Sequence, residues 1–287
     1  GLAVVLGLRL ALSPFTAAVG QPAALWRPRG VGLLFASPPA IGLVVALQVV
    51  GVAAAALHLW RRRLPPLVVA WACLLALAAL RTSLGKILHN DVLLVLAAIP
   101  LLLAGRRPDE GEARTGLDAA AAIVLLSYLS AGWWKLLRSG PAWAWSDNLR
   151  WSLAAGRGGA GWPGLADRLV TWPVVCTGLA GAILALELGS ALVWVRPRLA
   201  PCFVGAAAAM HVGTWLVLGL DYFAHLAVVA LVLLPWARMR SMGDHRGGTA
   251  MSTGGRLSPG RGERPGSSGA GGAARRVPAW TRPEGAG

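Results

Sequence analysis

This sequence predicts an all-α integral membrane protein of about eight transmembrane helices, with a Trp-rich helical segment on the membrane surface between the fifth and sixth. Three observations carry that prediction. Hydrophobic residues make up 56% of the chain and charged residues 14%, with a mean hydropathy of +0.60. Apolar runs recur that are longer than a soluble core needs. The cations gather in short clusters between those runs, as membrane loops place them.

The elements follow in order. Residues 2–20 are expected to form a first apolar helix, with Arg9 reaching toward cytoplasmic headgroups. No basic segment precedes this stretch and no small-residue cleavage site follows it, so it does not read as a signal peptide. A polar, proline-bearing loop covers 21–30. The second span, 41–60, stops at Arg61, Arg62 and Arg63; the third, 64–80, tolerates Pro65 and Pro66 near its start. A polar break over 81–91 leads to a short fourth span, 92–104, and a loop of mixed charge, 106–114.

The fifth span is expected over 116–137. The connection 138–168 contains Trp143, Trp145, Trp151 and Trp162. Tryptophan favours the interface, where its ring is shielded and its N–H stays wet, so this connection reads as one or two helices lying on the bilayer. The sixth, seventh and eighth spans are expected over 170–195, 199–220 and 222–236. A membrane domain over 1–237 thus precedes a basic tail over 238–287, rich in Gly, Ser, Pro and Arg. That tail lacks the aliphatic surface to offset its ordering entropy and is expected to be disordered.

The formal charge of +15 forms no continuous basic stripe, which argues against a nucleic-acid partner. From Arg238 onward nine Lys and Arg face three Asp and Glu, a tail suited to anionic lipid on the cytoplasmic side. Counting back through eight spans puts Arg196, Arg198, Arg106, Arg107, Arg114 and Arg61 to Arg63 on that side too. Arg27 and Arg29 are the exception. Both termini come out cytoplasmic in a multi-pass protein of the plasma membrane, and the usage of Ala, Gly and Arg fits a bacterium. Cys73, Cys176 and Cys202 lie in apolar runs without metal-like spacing and read as buried small hydrophobes; no metal is expected.

Ionisable groups inside spans are costly and mark candidate sites. Lys135 closes the fifth span, with Tyr128 and Gly132 on its helical face. Its simpler reading is a lysine snorkelling to the headgroups. His89, Asn90 and Asp91 precede the fourth span and serve equally well as a helix cap. Glu187 lies deep in the sixth span and needs a partner or a proton. His211 lies in the seventh, where a hydrogen bond to a neighbouring helix is the plainer explanation. Asp221 begins the eighth and reads as its cap, with His225 one turn on. On different helices, these groups are what a pocket between membrane helices is built from.

The string Tyr128-Leu129-Ser130-Ala131-Gly132-Trp133-Trp134-Lys135-Leu136, followed by Trp143 and Trp145, resembles the signature of horizontally transferred transmembrane (HTTM) domain proteins. These are similar to the membrane part of vitamin K-dependent gamma-carboxylase. Leu88-His89-Asn90-Asp91, Leu186-Glu187-Leu188, and Met210-His211 ahead of Asp221 follow in the right order, so the resemblance covers residues 2–236. It implies Lys135 as the base that deprotonates a reduced quinone, His89 as its assistant, and reduced vitamin K or menaquinone as cofactor. A lysine sheltered from water can serve as the free amine this needs. Fold does not carry function with it, however. Some relatives look like maturation factors, so a non-catalytic membrane factor that binds or matures an exported peptide or a lipid is the second expectation.

Overall fold

The computed structural model describes residues 1–18, 22–83, 89–105 and 110–250. Every regular element among them is helical. Eleven α-helices follow one another: α1 (Leu2–Leu12), α2 (Ile41–Arg61), α3 (Leu64–Thr82), α4 (His89–Ala104), α5 (Glu110–Ser139), α6 (Ala142–Trp145), α7 (Asn148–Gly156), α8 (Pro163–Val170), α9 (Pro173–Val195), α10 (Ala200–Leu218) and α11 (Phe223–Ala250). Six of them, α2, α3, α5, α9, α10 and α11, are long and apolar enough to cross a membrane. A multi-pass membrane protein follows from their length and composition.

The packing agrees with a lipid surround. α2 turns Ile41, Val45, Val49 and Leu57 outward, while Gly51, Ala54 and Ala55 face inward. Such a helix is apolar all round, and it is small residues rather than a hydrophobic contrast that select its inner face. The core runs through Leu6 and Leu10 of α1, Leu74 and Leu77 of α3, Leu94 and Ala98 of α4, Ala120 to Tyr128 of α5, and Val228 to Trp236 of α11. α5 packs on both α4 and α9, and that arrangement positions the site.

Several boundaries differ from the sequence expectation. The first helix ends at Leu12, not near residue 20, because Ser13 precedes Pro14 and takes an extended conformation (ψ 134°). α5 is already helical at Glu110, six residues before the expected start. The Trp-rich connection folds as three short helices, α6 to α8. α11 continues through the expected boundary at 237 to Ala250. Residues 248–287 form a second unit, of which 248–250 are described. The tail expected over 238–287 therefore lies mostly outside the described residues, as do Arg106 and Arg107. Cys73 and Cys176 are buried as expected, but Cys202 is exposed on the outer side of α10.

The Trp-rich segment is fastened to the end of α10. Gly161 and Trp162 donate backbone hydrogen bonds to the carbonyls of Trp215 and Leu216. Gly219 ends α10 with φ +66°, and a Cβ there would collide with the Gly159 carbonyl oxygen, so only glycine fits.

Candidate functional site

The Lys135 ammonium donates to Oε1 of Glu187, joining α5 to α9. The contact exists because the two helices approach closely at Gly132. A Cβ on Gly132 would stand 2.9 Å from Glu187 Cβ and 3.1 Å from Leu188 Cδ2. One turn further in, Ser190 donates across the same interface to the Leu125 carbonyl, at 3.0 Å. Glu187 sits roughly 21 Å along α9 from its first residue, at about 1.5 Å per residue, well inside the span. The Lys135 ammonium also lies 4.6 Å from the centre of the Trp143 ring, a cation–π contact contributed by α6. Lys135 is therefore not a lipid-facing snorkel: a carboxylate and an indole hold it against the protein. Its side chain is 24% exposed and that of Glu187 9%. The second carboxylate oxygen, Oε2, is buried without a hydrogen-bond partner among the described residues.

Gly132→Ala tests this close approach. The added methyl must push α5 and α9 apart, an overpacking that is expected to cost about 1–3 kcal/mol. A lowered unfolding temperature of detergent-purified protein would report it.

A second polar cluster lies one turn deeper on α5. The Tyr128 hydroxyl and Nε2 of His211 are 2.8 Å apart, linking α5 to α10. The His211 ring stacks on Tyr222, with centroids 4.9 Å apart, and meets His225 edge-on at 4.9 Å. Tyr128 also contacts His225 and Phe203 edge-on, at 5.5 and 5.1 Å. Nδ1 of His211 is buried without a hydrogen-bond partner among the described residues.

A third cluster is ionic. Arg9 bridges Asp91 at 2.6 Å and Asp221 at 2.7 Å, and Arg81 stands 3.6 Å from the other Asp91 oxygen. The Arg9 and Asp91 side chains are 6% and 2% exposed. The expectation that Arg9 reaches cytoplasmic headgroups is thus overturned. It is buried beside the start of α4 and the start of α11, where two carboxylates neutralise it. Asp221 also caps α11 as expected, accepting the Phe223 N–H at 3.1 Å.

The predicted residues fall into three neighbouring groups rather than one pocket. Lys135, Gly132 and Glu187 form the first, Tyr128 and His211 the second, and Asp221 belongs with Arg9. His89 is the first residue of α4, and its side chain lies outside what the structure describes. Sequence reasoning missed the bridging role of Arg9, the ring contacts of Tyr222, and the hold of Trp143 on Lys135. The signal for Arg9 was present: an arginine in an apolar helix needs an anion, and Asp91 and Asp221 were available.

No family model, curated protein or solved structure matches the chain.

Proposed function

We propose that the chain is an HTTM-like membrane enzyme of the bacterial plasma membrane that uses a reduced quinone, with Lys135 as base and Glu187 as its partner. In this reading α1 and α4 join the six long helices as crossings, both termini are cytoplasmic, and α6 to α8 lie at the outer interface. Exposed Trp145, Trp151, Trp162 and Trp172 support that placement. The observation that carries the reading is the Lys135–Glu187 contact inside the bundle. An ammonium must surrender a proton before it can take one. Glu187 is the group in contact with Nζ, so moving that proton to Oε1 leaves the amine free.

The donor set fits a quinol. The unpartnered Oε2 of Glu187 can accept a hydroxyl hydrogen, and Lys135 can donate to an oxygen beside it. Lys135, Glu187 and Trp143 would hold the ring, and the quinol would supply two electrons and an acidic hydroxyl.

The deciding experiment is oxidation of reduced menaquinone or vitamin K, with oxygen present, by protein in nanodiscs. Lys135→Ala, and Lys135→Ala combined with Glu187→Gln so that no buried charge is stranded, are expected to lose 10²–10⁴-fold in rate, the usual scale for a general base. Absence of turnover by folded wild-type protein would sink the catalytic reading. A second reading, a non-catalytic factor for an exported peptide or a lipid, draws on the way Lys135 and Glu187 satisfy each other, as a static tie would. On that reading Lys135→Arg keeps function, and losing the exposed tryptophans of α6 to α8 abolishes it.

A further inference from the structure

The corner where α1 and α3 finish and α4 and α11 begin holds more cations than its two aspartates neutralise. Arg9 and Arg81 share Asp91, and Asp221 also serves Arg9, so both of these arginines are answered. Arg27 and Arg29 are not. Asp91 is the first acidic residue of the chain, so no carboxylate precedes them or follows them closely. The Arg29 guanidinium has no partner among the described residues. Arg27 directs only Nη1 back to its own loop, to the carbonyls of Ala24 and Trp26 at 3.2 Å, and keeps its other N–H donors. These two arginines are also the ones that depart from the positive-inside distribution.

The loop that carries them is stitched to α3. The Arg27 N–H donates to the Ser83 carbonyl at 2.5 Å, and the Arg29 N–H to Ser83 Oγ at 2.9 Å. Trp26 is buried, and its Nε1–H closes the loop on the Phe35 carbonyl at 3.2 Å. Gly32 approaches α3 so closely that a Cβ there would collide with Ser83 Oγ. Yet the same loop leaves Leu33 and Leu34 70% and 80% exposed, and Leu25 is exposed too. A fixed loop that holds leucines outward beside unpaired guanidinium groups matches a bilayer interface. The leucines suit acyl chains, and the guanidinium groups suit the phosphate level just above them.

We propose that residues 25–34 form a docking surface for an anionic phospholipid in the leaflet at this end of the bundle. In the orientation given above that is the outer leaflet. Arg27 and Arg29 take the phosphate, because a guanidinium presents paired N–H donors that match two phosphate oxygens. Leu33 and Leu34 lie along the acyl chains. A zwitterionic headgroup brings its own ammonium to the phosphate and competes with the arginines, so a lipid with net negative charge is preferred. The inference is independent of the chemistry at Lys135.

The test titrates phosphatidylglycerol and phosphatidylcholine, with the same acyl chains, into the detergent-solubilised full chain and counts bound lipids by native mass spectrometry. The wild type should bind its first phosphatidylglycerol more tightly than its first phosphatidylcholine. An Arg27→Gln, Arg29→Gln double variant should lose about fivefold in phosphatidylglycerol affinity for each arginine removed and little for phosphatidylcholine. Both side chains are exposed, so an unchanged circular dichroism spectrum is expected. Arg61→Gln with Arg63→Gln alters the basic turn at the opposite end of α3 and should leave the first site as it was. Leu33→Ser with Leu34→Ser should weaken both lipids alike and keep the preference. Equal binding of the two lipids by the wild type overturns the proposal. So does a loss that follows Arg61 and Arg63 instead of Arg27 and Arg29, or lipid binding indifferent to the leucines. Displacement of the lipid by millimolar glycerol phosphate would mark a site for a soluble oxyanion and overturn it as well.

Discussion

Asp91→Ala is expected to cost about 3–5 kcal/mol, because it leaves two arginines, Arg9 and Arg81, without the carboxylate between them. Desolvating a charge is expensive, and what makes Arg9 tolerable inside the bundle is that Asp91 and Asp221 both face it. The same logic predicts an asymmetry. Asp221 is half-exposed, so Asp221→Ala should cost far less than Asp91→Ala. Replacing Arg9 and Asp91 together with apolar residues of similar size should recover most of the loss. Denaturant-induced unfolding in detergent, followed by tryptophan fluorescence, would measure all three. Equal costs for the two aspartates would show that burial does not govern the cluster.

The Lys135–Glu187 pair should give the second large effect, and a double-mutant cycle separates its stability from its chemistry. Glu187→Ala strands an ammonium held by an indole and is expected to lose about 3–5 kcal/mol. Replacing both groups with Met and Leu should return stability to near the wild-type value while leaving the protein inactive. An active double variant would show that the pair is a strut. A double variant as unstable as the single one would show that the loss comes from packing at Gly132 instead.

The sequence made some of this legible. The long apolar runs located α2, α3, α9 and α10 closely, because hydrophobic length is what the bilayer selects. Charges inside apolar runs singled out Lys135 on α5 and Glu187 on α9 for the same reason. Their pairing was not legible. A helix that is apolar all round carries no 3.6-residue pattern to say which way it turns, so nothing on α9 pointed Glu187 at Lys135. The arginine bridge was hidden differently, since its partners lie 82 and 212 residues away from Arg9. The early end of α1 was readable from Ser13 and Pro14 and was outweighed by the apolar residues beyond them.

One feature of the architecture reaches beyond the chain to its lipid. The 16 described residues of α4 give roughly 24 Å of helix against a hydrocarbon layer of about 30 Å, and the buried Asp91 lies near their start. If α4 spans the membrane with these residues alone, the acyl chains beside it must shorten or tilt to match, and this thinned annulus forms next to Arg9 and Asp221. Headgroups and water then dip toward the polar layer from that side only. A hydrophobic molecule diffusing in the leaflet would find there the shortest path from oil to water along the protein's perimeter. Bilayer thickness thereby becomes a control on how readily protons reach that side, and shorter-chain lipids should ease their passage.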